Sequence, residues 1–118
     1  MAALQLEEFE LVFLRRPPEP TPYDEKTLDR IQSEHLAYLS SPRDSGQLVV
    51  NGPVTDHADE SLRGLAFYRA GSLEEARRLA EADPAVRAGR LVIEVMHWWC
   101  PPARMVAPGR AFVLDADD

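Results

Sequence analysis

One histidine stands in the middle of an apolar stripe. Between Tyr23 and Asp44, Leu28, Ile31, His35 and Leu39 share a face at the helical period, with Leu36 beside them. An imidazole placed there needs hydrogen-bond partners, because a buried polar group without one costs free energy. Two uses meet that need. The ring is either a structural group satisfied by backbone or a core polar atom, or a proton acceptor with one nitrogen fixed and the other offered to a substrate.

Other residues able to do chemistry are fewer. Asp83 precedes Pro84, where an aspartate commonly serves a turn. Gly52-Pro53 ends a strand and could also line the mouth of a pocket. Trp98 and Trp99 at a strand end could wall a pocket, or pack in a core or dimer contact. Glu10 and Glu94 are expected on one sheet face, the one whose cover is not evident; they are solvated or sit in a dimer cavity as alternative acid/base groups. His35, His57, His97 and Cys100 include no compact pair of the zinc-site type, so no metal is expected. The chain has no phosphate-cradling glycine loop, nucleophile elbow or dinucleotide fingerprint, and no cofactor is expected.

The elements that must hold these groups follow from pattern and punctuation. Phe9–Arg15 alternates, with Phe9, Leu11 and Phe13 on one side and Glu10, Val12 and Leu14 on the other. Both sides are largely apolar, so this strand is central. RRPPEPTP then breaks regular structure and reads as a connecting loop. Asp24 can cap the helical segment, and Pro42 and Gly46 end it. Gln47–Val54 is a second strand, TDHADES a polar connection, and Leu62–Arg69 a third strand paired with the second. Ser72-Leu73-Glu74-Glu75 is a capping box that opens a helix running to about Ala82. Asp83-Pro84 stops that helix, and one more turn follows. Arg90–Trp98 is a fourth strand, with Leu91, Ile93 and Val95 on one face and Val92, Glu94, Met96 and Trp98 on the other. Val106–Leu114 is expected to add an edge strand or lie along the surface, and the DADD tail to be disordered.

Strand, helix, strand, strand, helix, strand is the split βαβ order. It predicts a ferredoxin-like α+β sandwich, an antiparallel sheet with both helices on one face. The other face would then be bare. Val12, Leu14, Val92, Met96 and Trp98 cannot all be assigned to the helices, and a soluble monomer rarely exposes several hundred Å² of apolar sheet. A homodimer joined sheet to sheet, a dimeric α+β barrel, resolves this.

Composition agrees with one domain over residues 1–118. At 118 residues, 45% hydrophobic and 28% charged, the chain is of ordinary globular size. A net charge of −7 argues against nucleic acid and anionic membranes as partners. No apolar run is long enough to span a bilayer, and the acidic N-terminus is not that of a signal peptide. The single cysteine fits a reducing cytoplasm.

EHLAYL, GQLVVNGP and LRGLAFYRAGSLEEARRLAEADPAVRAGR, followed by a strand ending in tryptophan, together resemble the YCII-related domain family over about residues 8–99. Residues 100–118 are then a C-terminal extension. The resemblance implies a dimeric ferredoxin-like protein with a histidine–aspartate pair, here His35 of EHL and Asp83 of DPAV. A relative of this kind is a dehydrochlorinase of a chlorinated hydroxyhydroquinone, whereas most members have no known reaction. The long proline-rich entry and the tail past Trp99 depart from the pattern.

The implied pair sets a geometric condition. If the first helix lay antiparallel to the second and packed continuously from Asp24, His35 would sit eleven residues, roughly 16 Å, from the edge where Asp83 lies. The pair therefore predicts a break near Gln32–Ser33. Two readings of function follow. One is a small-molecule enzyme using His35–Asp83 for lyase- or isomerase-like proton transfer, with Gly52, Pro53 and Trp98 as binding residues. The other is a non-catalytic dimeric ligand-binding or regulatory module with His35 structural.

Overall fold

The computed structural model describes residues 4–105. The expected edge strand at Val106–Leu114 and the acidic tail lie outside the described residues. Eight elements follow one another: β1 (Glu7–Arg15), α1 (Glu25–Tyr38), α2 (Ser40–Asp44), β2 (Leu48–Pro53), β3 (Leu62–Tyr68), α3 (Leu73–Glu81), α4 (Pro84–Arg87) and β4 (Val92–Cys100). The four strands form one antiparallel sheet in the order β2-β3-β1-β4. This is the ferredoxin-like α+β fold. No described helix is long and apolar enough to cross a membrane.

β1 is a central strand, as its two apolar sides require. Its alternation sorts the sheet. Val12 pairs with Ala66 on β3 and Val95 on β4, while Leu11 pairs with Phe67 and Met96. Val12, Ala66 and Tyr68, with Leu48 of β2, pack against Ala76, Leu79 and Ala80 of α3 and Leu39 after α1. Leu14, Ile93 and Val95 border that core. Val12 and Leu14 thus lie on the helix side, while Met96 and Trp98 point the other way with Phe9, Leu11, Phe13, Leu65 and Phe67.

The second helical region follows its capping signals closely. Ser72 Oγ accepts from the Glu75 amide at 3.0 Å and caps α3. The reciprocal half of the capping box is not made: the Glu75 carboxylate turns to Arg78 one turn on. Asp83 has the extended backbone (φ −62°, ψ 129°) that a residue before proline adopts, and Pro84 opens α4.

The first helical region differs from expectation. α1 runs unbroken through Gln32 and Ser33 and is interrupted only at Leu39, where α2 begins. Pro42 accounts for the position of the break, since its ring opposes the carbonyl four residues earlier and it has no N–H to offer. The expected break rested on α1 lying alongside α3, and it does not. α1 packs mainly against α4. The proline-rich loop holds it there: Thr21 N donates to Gly89 O at 3.2 Å, Arg90 Nη1 to Thr21 O at 3.0 Å, and Tyr23 Oη to Ala88 O at 2.8 Å. The start of α1 therefore lies beside α4, and Ile31 to His35, not Asp24, come level with Asp83.

Candidate active site between the first helix and the sheet

His35 and Asp83 meet. His35 Nδ1 lies 2.6 Å from Asp83 Oδ2, with the side chains 13% and 4% exposed. The other carboxylate oxygen, Oδ1, accepts from the Ala85 amide at 2.8 Å and caps α4. One aspartate therefore serves the turn and the histidine together. The cap fixes the carboxylate, and the fixed carboxylate orients the ring. In a neutral imidazole whose Nδ1 proton Asp83 accepts, the lone pair is on Nε2.

His35 borders a cavity of about 510 Å³ between α1 and the edge of the sheet. Leu28, Ile31 and Leu36 of α1 supply one apolar wall, and Asn51, Gly52, Pro53 and Gly64 of the β2–β3 hairpin supply the opposite one. Gly64 is where the two strands approach closely. A Cβ there would sit 3.0 Å from the Gly52 carbonyl oxygen. Arg16, Arg63 and Arg90 also line the cavity. Burial lowers the Arg16 pKa from its ordinary value, and the positive charges of Arg63 and Arg90 lower it further.

Two tyrosines stand near the pair. Tyr38 Oη donates to Leu79 O at 2.8 Å, and burial raises its pKa. Tyr68, 2% exposed, is pushed up to about 12 by burial first and then by Tyr38 and Asp83.

The remaining sequence candidates divide by face. Gly52 and Pro53 line the cavity with His35. Trp98 does not: the alternation of β4 turns it to the opposite side of the sheet, where its ring packs 6.1 Å from Phe9 and 5.0 Å from Phe67. Glu10 and Glu94 lie on opposite faces rather than one. Glu10, 2% exposed, accepts from the amides of Ala70 and Gly71, and Glu94 pairs with Arg15. His57 is in the exposed β2–β3 connection. His97 is on β4, paired directly with Glu10 of β1. With Glu8 and Glu10 it offers three donor atoms within 4.8 Å of one another, a grouping made by strand pairing and not by sequence spacing. The cavity arginines were missed because they are far apart in sequence and come together from the end of β1, the start of β3 and the turn before β4.

Fold and site thus define a ferredoxin-like α+β protein with a helix-to-sheet cavity and a histidine–carboxylate pair at its wall. The YCII-related domain profile matches residues 15–99, and the chain belongs to that family. Among solved structures, 5-chloro-2-hydroxyhydroquinone dehydrochlorinase (TftG) from Burkholderia phenoliruptrix AC1100, in complex with 2,5-dihydroxybenzoquinone, is similar. It superposes with a TM-score of 0.53 at 23% identity, over 76% of this chain and 92% of that one. At that identity the likeness bears on the fold. No curated protein matches the chain.

Proposed function

We propose that this protein is a small-molecule enzyme in which His35 is a general base or acid and Asp83 positions it. The observation that supports this most directly is the 2.6 Å contact between His35 Nδ1 and Asp83 Oδ2 at the wall of a cavity of about 510 Å³. Asp83 holds one tautomer, Nε2 takes a proton from a bound substrate, and the resulting imidazolium is stabilised by the carboxylate behind it. A cavity of this size suits a small organic molecule. The dehydrochlorinase that shares the fold indicates the first reaction class to test, elimination: the base takes a proton from carbon, a double bond forms, and chloride leaves with the electron pair of the C–Cl bond. Isomerisation by proton removal and return needs the same two residues. We further propose that the protein acts as a homodimer joined through the sheet face opposite the helices.

The test is chloride release from chlorinated hydroquinones, together with deuterium exchange at acidic C–H positions of small carbonyl compounds. The wild-type protein is expected to turn over at least one of them. His35→Ala and Asp83→Asn are each expected to reduce the rate by about 10²–10⁴-fold while keeping the wild-type circular dichroism spectrum. The side-chain carbonyl introduced by Asp83→Asn would still accept from the Ala85 amide, which favours a folded variant. Turnover that survives His35→Ala would sink the proposal. A loss of stability with no activity in any protein would leave His35 as a structural group.

A further inference from the structure

The cavity has an unusual charge for this chain. The protein carries 20 acidic and 13 basic side chains. Yet among the described residues the cavity lining includes three arginines, Arg16, Arg63 and Arg90, and no aspartate or glutamate. None of the three has a carboxylate within ion-pairing distance among the described residues, whereas Arg15, nearby on the other sheet face, has two. Among the described residues the Arg90 guanidinium donates to a backbone carbonyl, that of Thr21. They arrive from three separate places, the end of β1, the start of β3 and the turn before β4, so no single stretch of sequence explains their meeting.

Three like charges brought to one concave site repel one another, and this is visible at Arg16, whose pKa is lowered by burial and by the other two. A fold does not gain stability from such a grouping. A bound anion would relieve it, since guanidinium groups hold carboxylates through charge-assisted, forked hydrogen bonds. The α1 lining adds apolar surface from Leu28, Ile31 and Leu36, beside Gln32 and His35. A ligand that fits both sides has a compact apolar body and an ionised oxyanion.

We propose that the cavity binds a small organic acid in its ionised form, with the carboxylate held by Arg16, Arg63 and Arg90 and the apolar body against α1. The proposal names the ligand class for the acid/base site above and rests on that reading for its role in turnover; the binding itself does not need His35. Arg16, Arg63 and Arg90 are binding residues that would present the ligand to His35.

The experiment is titration calorimetry of the full-length protein with matched acid and amide probes: benzoate against benzamide, and succinate against succinamide. At least one acid is expected to bind about tenfold or more tightly than its amide, a difference of about 1.4 kcal/mol. That preference is expected to fall as chloride is raised from low to physiological concentration. Arg63→Met and Arg16→Met should each remove most of it, and Arg63→Lys should retain part. Because the readout is binding and not turnover, it separates a failure of this proposal from a failure of the catalytic one. Equal binding of acid and amide, binding of neither, or a preference unmoved in both methionine variants overturns the proposal. If Arg63→Met does not fold, Arg16→Met and the chloride dependence decide the matter.

Discussion

Asp83 shows how one side chain reconciles two demands. Its Oδ1 caps α4 through Ala85, and its Oδ2 holds His35. A turn aspartate before proline and a positioning carboxylate are usually alternatives in a sequence; here the turn is what makes the carboxylate rigid enough to position anything. The polar neighbourhood also includes Tyr68, buried close enough to Asp83 to feel its charge. The phenol is raised from 10 to about 12, so the folded state holds the neutral form while the unfolded chain ionises first. The stability from this group is present in full below pH 10 and is lost as pH rises toward 12. Alkaline denaturation followed by circular dichroism is therefore expected to set in between those values. Tyr68→Phe is expected to shift the onset upward while leaving stability at neutral pH within about 1 kcal/mol of wild type. An unchanged alkaline onset would show that Tyr68 does not govern it.

At the scale of elements, the sequence was most legible where a local rule decides the outcome. Alternation in β1 made it central, Ser72 opened α3, and Asp83-Pro84 closed it. The placement of α1 was not legible, because tertiary contacts set it. Its break follows Pro42, but its tilt depends on a loop of prolines meeting the α4–β4 turn, a contact between residues far apart in sequence. The expected break at Gln32–Ser33 came from assuming that α1 lies against α3. The cavity arginines were hidden for the same reason. The turn itself can be tested. Gly89 has φ +77°, and a Cβ there would run into the Thr21 side chain. Gly89→Ala should destabilise the protein by about 1–3 kcal/mol in urea unfolding, by combining left-handed strain with displacement of the proline-rich loop. Because that loop holds α1 on α4, the variant should also loosen the His35–Asp83 pair, read as faster amide exchange in Ile31–His35. A stable variant with unchanged exchange would mean that the loop does not position the helix.

For the whole molecule, the sheet divides two environments. One side is covered by helices and carries the cavity. The other presents Phe13, Leu65, Phe67, Met96 and Trp98, all only partly buried, with Val50 and Val92 at its margins 47% and 46% exposed. Arg15 bridges Asp59 and Glu94 at one end of this face, a polar edge beside its aromatic centre. An apolar sheet face with an aromatic centre suits a contact with a second copy, and a stable dimer needs about 800 Å² from each partner. Light scattering at micromolar concentration is expected to give about twice the chain mass of 13.2 kDa. Trp98→Glu would place a charge from each copy near the centre of the contact and should yield the monomer. Val50→Glu, at an exposed edge position, should weaken the dimer with less effect on folding. Both changes are on the side of the sheet away from His35, Asp83 and the cavity arginines. Ligand binding in the monomeric variants therefore reports whether each subunit's cavity works alone. A wild-type protein that is monomeric at micromolar concentration would mean that this face is left open or is covered by something other than a second copy.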